Sequence, residues 1–146
     1  MKLRDEVVQF FTQGNEMSIE DLMSATLYDC PDAQEVVVKD ISFVSLCEHH
    51  LLPMFGVCHI AYLTNQKVLG LGRISEIVEI FSRRLQLQEK LTHEIAAALL
   101  KITGAKGVAV TLEAKHFCMV LKGLDKLHQS VVTSCCLGEH IHWRAR

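Results

Sequence analysis

Two short segments of the chain carry the residues best suited to chemistry. The first is C-E-H-H, in which Cys47 stands three residues before His50 and His49 adjoins His50. A thiolate and an imidazole are ligands that suit zinc. A turn at the end of a strand can bring residues i and i+3 to one side. The spacing fits part of a zinc site, since a bound ion needs more than two ligands, and it also fits two ordinary core residues, as such isolated pairs often are.

The second segment is H-F-C, which runs from His116 to Cys118. If the segment continues a strand, these two side chains point to the same face. Cys118 is then a candidate third ligand, and two cysteines with one histidine leave a position for water, as a catalytic zinc site requires. Ordinary strand residues would give the same pattern, and the pattern alone does not decide between the two. His49, beside a candidate ligand, is a candidate proton carrier.

The elements that must position these segments form an α+β pattern. Strands are predicted from Glu35, from Gly56 and over K-V-L-G-L-G. Helical spacing follows in I-S-E-I-V-E-I-F-S-R-R-L, with Ser75 as a possible cap, and in a second helix that ends at Gly104. G-V-A-V-T-L-E-A alternates as a strand, H-F-C-M-V-L-K-G extends the β region, and S-V-V-T-S-C-C-L-G is the final strand. This order predicts an antiparallel sheet with two helices on one face, whose open edges favour an oligomer.

Composition excludes several classes of function. The net charge of −2 provides no basic field for nucleic acid, so no nucleic-acid partner is expected. No run approaches the roughly 18 apolar residues of a membrane helix, and the charged N-terminus does not look like a signal peptide. The six cysteines are irregularly spaced, which favours thiols or metal ligands over a disulfide framework. We therefore expect a cytoplasmic protein without a membrane partner.

Several segments, taken in order, closely resemble the GTP cyclohydrolase I family. They are S-L-C-E-H-H-L-L-P, I-V-E-I-F-S-R-R-L-Q-L-Q-E-K-L-T, E-A-K-H-F-C-M and V-V-T-S, spread between Val36 and Gly138. The resemblance implies a tunnelling fold (T-fold), in which subunits pool their sheets into an oligomeric barrel. It further implies a homo-oligomer, a pentamer or a decamer, with active sites between subunits.

The resemblance also implies a reaction and a site. The substrate would be a purine nucleotide, GTP, and the cofactor Zn²⁺. Water acidified by zinc would attack C8, a histidine would protonate N7, and formate would leave before rearrangement to 7,8-dihydroneopterin triphosphate. The residues at the family's positions are the zinc ligands Cys47, His50 and Cys118, the catalytic histidines His49 and His116, and the guanine-binding pair Gln88 and Glu89.

Departures from the family pattern cluster at the ribose and phosphate end. Where the family usually reads G-L-S-K-x-x-R, this chain reads G-L-G-R-I-S-E. Gly72 replaces a serine, Arg73 replaces a lysine, and Glu76 replaces an arginine that helps to hold the triphosphate. Lys122 stands where the family has an arginine, which removes a bidentate fork. Arg73 and Lys122, and the two arginines of S-R-R-L, remain as candidate phosphate ligands.

Three interpretations follow. The chain is a functional but divergent GTP cyclohydrolase I, or a paralogue that acts on a less phosphorylated or different purine-like ring or stops after ring opening. The third is a non-catalytic paralogue that binds zinc or joins an oligomer, against which the intact site residues argue. We predict one domain over 1–146. Its N-terminal region 1–34 is short and divergent, with short helices over 3–12 and after Ser18, and its tail 139–146 is also divergent.

Overall fold

The computed structural model describes residues 2–23, 27–139 and 141. The helices are α1 (Lys2–Thr12), α2 (Ile19–Met23), α3 (Leu71–Ser82), α4 (Gln88–Thr103) and α5 (Phe117–Val120). The strands are β1 (Leu27–Asp29), β2 (Glu35–Cys47), β3 (Pro53–Leu63), β4 (Lys67–Leu69), β5 (Leu85–Gln86), β6 (Gly107–His116) and β7 (Val131–Gly138). Across the described ranges, every helix is too short or too polar to span a lipid bilayer.

The main sheet, within the described residues, has five strands in the order β5-β2-β3-β6-β7. The pairs β2–β3, β3–β6 and β6–β7 are antiparallel, as predicted. The short β5 instead joins β2 in parallel, so the prediction of an antiparallel sheet is wrong at this edge. R-L-Q-L-Q-E carries too short a β segment for a periodic signal, and tertiary contact decides its conformation. Strands β1 and β4 form a separate antiparallel pair.

The core lies between the sheet and the two long helices, which confirms the prediction of two helices on one face. The α4 side chains of Leu91, Ile95 and Leu99 are fully buried and share one apolar cluster with residues of α3, β3 and β6. Burial of each such side chain contributes about 1.5–3 kcal/mol. Gly104 ends α4 in the left-handed region, with φ 59°, as its position predicted.

Two predicted boundaries were wrong. Helix α3 begins at Leu71 and Gly70 precedes it, so Ser75 lies inside the helix and K-V-L-G-L-G is a strand only as far as Leu69. Strand β6 stops at His116, and the residues that follow are helical rather than β. Its neighbour β3 begins at Pro53, which has no N–H to donate, so the ladder between them has no further partner.

The N-terminal segment docks through a glycine on the end of α3. The Gly14 N–H donates to the Arg83 carbonyl at 3.0 Å, and Arg84 Nε donates to the Gly14 carbonyl at 3.0 Å. A Cβ at this position would overlap the Ile80 carbonyl oxygen. Arg83 also stacks on the Phe10 ring of α1, with 3.6 Å between Cζ and the ring centroid. Close backbone approach therefore requires glycine here.

Candidate active site

A closed turn at the end of β2 brings the first two candidate ligands together. The Cys47 N–H donates to the Leu52 carbonyl at 2.9 Å, and the Leu51 N–H donates to the Cys47 carbonyl at 2.8 Å. Leu51 adopts φ 52°, which lets the chain reverse into β3. The turn places Cys47 Sγ 3.9 Å from His50 Nδ1, as the C-x-x-H spacing predicted. The thiol is buried and the imidazole is exposed.

The segment R-L-Q-L-Q-E packs beside this turn and forms hydrogen bonds with it. Strand β5 pairs with the last residues of β2, and the Glu48 N–H donates to the Gln86 carbonyl at 3.0 Å. The fully buried Ser45 Oγ donates to the Arg84 carbonyl at 3.2 Å. Gln86 Nε2 bonds the Phe81 carbonyl at 3.0 Å. These contacts tie the turn to the linker between α3 and α4.

His116 lies at the same end of the sheet as the turn. Pro53 pairs with Leu46 next to the turn, and Met54 pairs with His116 on the neighbouring strand. His116 Nε2 lies 2.7 Å from Gln88 Oε1 at the start of α4. The pKa of His116 lies below its usual value. Burial is the largest cause, Glu89 opposes it by raising the pKa, and His50 lowers the pKa further. His116 is therefore within electrostatic range of both His50 and Glu89.

Cys118 occupies a different element from the predicted one. It lies half-buried in α5, so the expectation that it shares a strand face with His116 is wrong. Among the described residues, no cluster of three or more histidine, cysteine, aspartate or glutamate side chains is arranged to hold a metal ion. The structure thus joins Cys47 with His50 but does not join Cys118 to them.

The Cys47–His50 pair fits a zinc ion in its donor chemistry. Tetrahedral ligation by one thiolate and one imidazole separates the two ligand atoms by about 3.6 Å, given the usual zinc–sulfur and zinc–nitrogen distances. The observed separation of 3.9 Å is close to that value. His49 turns its ring perpendicular to that of His50, at an interplanar angle of 89° and a centroid distance of 6.2 Å. Its ring therefore stands apart from the ligand pair.

The predicted phosphate-binding residues lie in a different setting. Arg73 Nη1 donates to Glu76 Oε2 at 2.6 Å on the first turns of α3, and both side chains are partly exposed. Lys122 is exposed in the turn after α5. The arginines of S-R-R-L are engaged elsewhere, since Arg83 stacks on Phe10 and Arg84 bonds the Gly14 carbonyl.

Sequence reasoning missed the buried polar residues that fix the backbone around the site. Ser45 bonds the Arg84 carbonyl beside the turn, Gln86 bonds the Phe81 carbonyl at the end of α3, and neither was a candidate. Ser45 is a polar residue at a buried position of an apolar strand, which is a signal that could have found it. Gln86 carries no comparable signal, because its role depends on the parallel pairing of β5.

Comparison with known proteins identifies the family. The family model described as GTP cyclohydrolase I matches residues 4–144. The chain is 45% identical over 134 residues to "GTP cyclohydrolase 1 2" of Pseudomonas syringae pv. tomato, covering 92% of this chain and 74% of that protein. It is 46% identical over 133 residues to "GTP cyclohydrolase 1" of Pseudoalteromonas atlantica, covering 91% and 72%.

A solved structure supports the same fold. The archaeosine synthase QueF-Like in its apo form superposes with a TM-score of 0.61 at 16% identity, covering 75% of this chain and 99% of that one. This likeness confirms the α+β tunnelling fold of the subunit. The matched span of the family model and the identity to its curated members together show that the chain belongs to the GTP cyclohydrolase I family, whose members are hydrolases.

Proposed function

We propose that this chain hydrolyses the imidazole ring of GTP at C8, releases formate and forms 7,8-dihydroneopterin triphosphate. The observation that carries the proposal is the grouping at one end of the sheet. There the Cys47–His50 pair lies within the electrostatic range of His116, and Glu89 stands beside it. A metal-ligand pair, an imidazole and a carboxylate are the groups that a hydrolysis of a guanine ring requires.

Zn²⁺ is the proposed cofactor, held by Cys47, His50 and Cys118. The distance between the first two supports their role, and Cys118 follows the last residue of β6 by only two positions at the same sheet end. Bound zinc would supply a water molecule whose pKa is lowered toward neutrality. The chain's own part is to hold the Cys47 sulfur in a buried position with the His50 imidazole beside it.

His49 and His116 are the proposed proton carriers. His49 is exposed and adjoins the proposed ligand His50, so it can donate a proton to a purine ring bound at the zinc site. Burial lowers the pKa of His116 below its usual value, which favours the neutral imidazole that can accept a proton. The two histidines would therefore serve opposite directions of proton transfer.

Gln88 and Glu89 are the pair that the family resemblance assigns to guanine. Glu89 lies in the first turn of α4, where the helix dipole favours a carboxylate. A carboxylate can accept hydrogen bonds from the guanine N1–H and 2-amino group together. Adenine lacks this pair of donors, so Glu89 would select guanine by its hydrogen-bonding edge.

A second candidate is a hydrolase for a less phosphorylated guanine compound, or one that stops after ring opening. The ion pair between Arg73 and Glu76 favours it, because a cation already held by a carboxylate offers less charge to a triphosphate. Lys122 and Arg73 remain the proposed phosphate contacts of the first candidate.

The proposed assembly is a homo-oligomer, a pentamer or a decamer, with sites between subunits. Strand β7 forms an edge of the sheet and exposes Val131 and Val132. Leu121, Leu124 and Leu127 are exposed in the segment that precedes it. An open edge beside exposed apolar side chains supports pairing with a second copy. Sedimentation velocity of the purified protein would test this, and a monomer at micromolar concentration would contradict it.

Cytoplasmic location is proposed from the thiols. All six cysteines are free in the structure. Unpaired thiols are typical of a reducing compartment.

Product analysis by mass spectrometry tests the reaction. The zinc-loaded protein would be incubated with GTP and, in parallel, with GDP, GMP and guanosine. 7,8-Dihydroneopterin triphosphate from GTP would support the first candidate. Turnover confined to less phosphorylated substrates, or accumulation of a ring-opened formyl intermediate, would support the second. Absence of any turnover by a zinc-loaded oligomer would contradict both.

A further inference from the structure

The amide of Gln88 is one of the most completely engaged polar groups near the candidate site. Gln88 is 2% exposed at the first position of α4. Its Nε2 donates to the Leu112 carbonyl at 3.2 Å and to the Val131 carbonyl at 2.8 Å. Its Oε1 lies 2.7 Å from His116 Nε2. Both amide hydrogens are therefore directed at backbone oxygens of two neighbouring strands.

These contacts determine the orientation of the amide. If the side chain were flipped, Oε1 would face two carbonyl oxygens at hydrogen-bonding distance, and no proton would lie between them. The donors must face the strands, so Oε1 must face His116. A carbonyl oxygen can only accept a hydrogen bond, so His116 Nε2 must be the donor.

We propose that Gln88 is a positioning residue that holds His116 with its proton on Nε2 and leaves Nδ1 as the proton-accepting atom. The proposal rests on the proposed function insofar as His116 takes part in the reaction. It changes the role of Gln88, because neither amide hydrogen remains free to donate to guanine. Guanine recognition then falls to Glu89, which is exposed at the next position.

Kinetic variants separate positioning from substrate binding. Gln88→Leu removes all three hydrogen bonds, and we expect kcat for GTP to fall on the order of 10–100-fold, in the range measured for residues that orient an active-site histidine. KM should stay within about twofold, because guanine loses no contact. Gln88→Glu keeps an oxygen that can accept from Nε2, but its second oxygen would face the Leu112 and Val131 carbonyls without a proton between them, so we expect this variant to lower the melting temperature.

Thr92→Val is the matched control for a merely structural effect. Thr92 lies one turn further along α4 and is fully buried, and its hydroxyl bonds the Gln88 backbone carbonyl at 2.6 Å and the Thr133 hydroxyl of β7 at 2.7 Å. Its loss weakens the same helix–strand contact without touching His116. We expect Thr92→Val to lower the melting temperature while kcat is retained. An equal loss of kcat in Thr92→Val, or a raised KM with retained kcat in Gln88→Leu, would overturn the proposal.

A spectroscopic readout on the wild-type protein makes the test independent of turnover. Imidazole ¹⁵N spectra of histidine-labelled wild-type protein, with His116 assigned by its absence in His116→Gln, report which ring nitrogen carries the proton. The proposal expects Nε2–H in the wild type, and a mixture of tautomers wherever a folded Gln88→Leu is obtained. Nδ1–H in the wild type would overturn it. Failure of the product assay with Nε2–H observed would instead count against the proposed function alone.

Discussion

The two ends of the candidate site are held in different ways. At the end that carries Cys47 and His116, side chains lie at the ends of long paired strands, and buried groups such as Gln88 bond them from behind. At the end that carries Arg73 and Glu76, the side chains are partly exposed on the first turns of α3 and bond mainly one another. The first arrangement suits chemistry, which needs fixed positions, whereas the second leaves charge free to rearrange around a substrate.

This difference parallels the departures from the family pattern. Gly72 and Glu76, which depart from the pattern that the resemblance implies, fall on the exposed end, whereas the motif residues of the sheet end match that pattern. An exposed ion pair contributes about 1 kcal/mol or less to the free energy of folding. A change at a buried hydrogen-bonded group costs more. The exposed end can therefore diverge with less damage than the sheet end.

The largest effect should come from removing a proposed zinc ligand. Cys47→Ser and Cys118→Ser should lose bound zinc and abolish product formation, because the water that zinc would acidify is lost. Elemental analysis together with the product assay measures both. The control is Cys135→Ser, since Cys135 also lies near a histidine, 3.6 Å from His93 Nδ1, but away from the turn. An unchanged zinc content in Cys118→Ser would remove Cys118 from the ligand set.

The next effect should come from His49→Ala. Zinc should stay bound while kcat falls by about 10²–10⁴-fold, because a proton carrier is lost and the ligand pair is not. His93→Ala, an exposed histidine of α4, serves as the control and should retain full activity. Loss of zinc from His49→Ala would mean that His49 acts as a ligand, and would break the division of roles within C-E-H-H.

A smaller effect is expected on stability at the docking site of the N-terminal segment. Gly14→Ala should reduce the free energy of unfolding by about 1–3 kcal/mol, because the methyl group would overlap the Ile80 carbonyl. Gly72→Ala is the matched control: nothing lies within 4 Å of its added Cβ, and alanine favours a helix. Urea unfolding compares the two. Equal stabilities would show that the N-terminal segment does not dock through Gly14.

The smallest effect should come from releasing Arg73. Glu76→Gln breaks the ion pair, and KM for GTP should fall by up to about fivefold, in keeping with the energy of an exposed pair. KM for guanosine should not change, since it carries no phosphate. Glu79→Gln is the control on the same helix, because Glu79 pairs with Arg83, at 3.7 Å. Equal KM values for GTP in Glu76→Gln and the wild type would argue that Arg73 does not contact phosphate.

Much of the fold and part of the site could be predicted from the sequence, because the signals are local. Periodic apolar residues predicted α4 and the long strands, and C-x-x-H spacing predicted that a turn would join Cys47 to His50. Family motifs predicted the tunnelling fold, which the comparisons confirmed. Each of these predictions depends on residues that are close together in the chain or on a set of family motifs that occurs in the expected order.

Only the tertiary structure decided the contacts between distant segments. The β6 strand ends at His116 because its neighbour begins with Pro53, so Cys118 became helical although its own residues suit a strand. The pairing of β5 with β2 gave Gln86 its role, and the approach of β6 and β7 to α4 directed the two amide hydrogens of Gln88 at backbone carbonyls. Such contacts depend on which backbone groups meet in space, and the spacing of residues along one chain does not encode that directly.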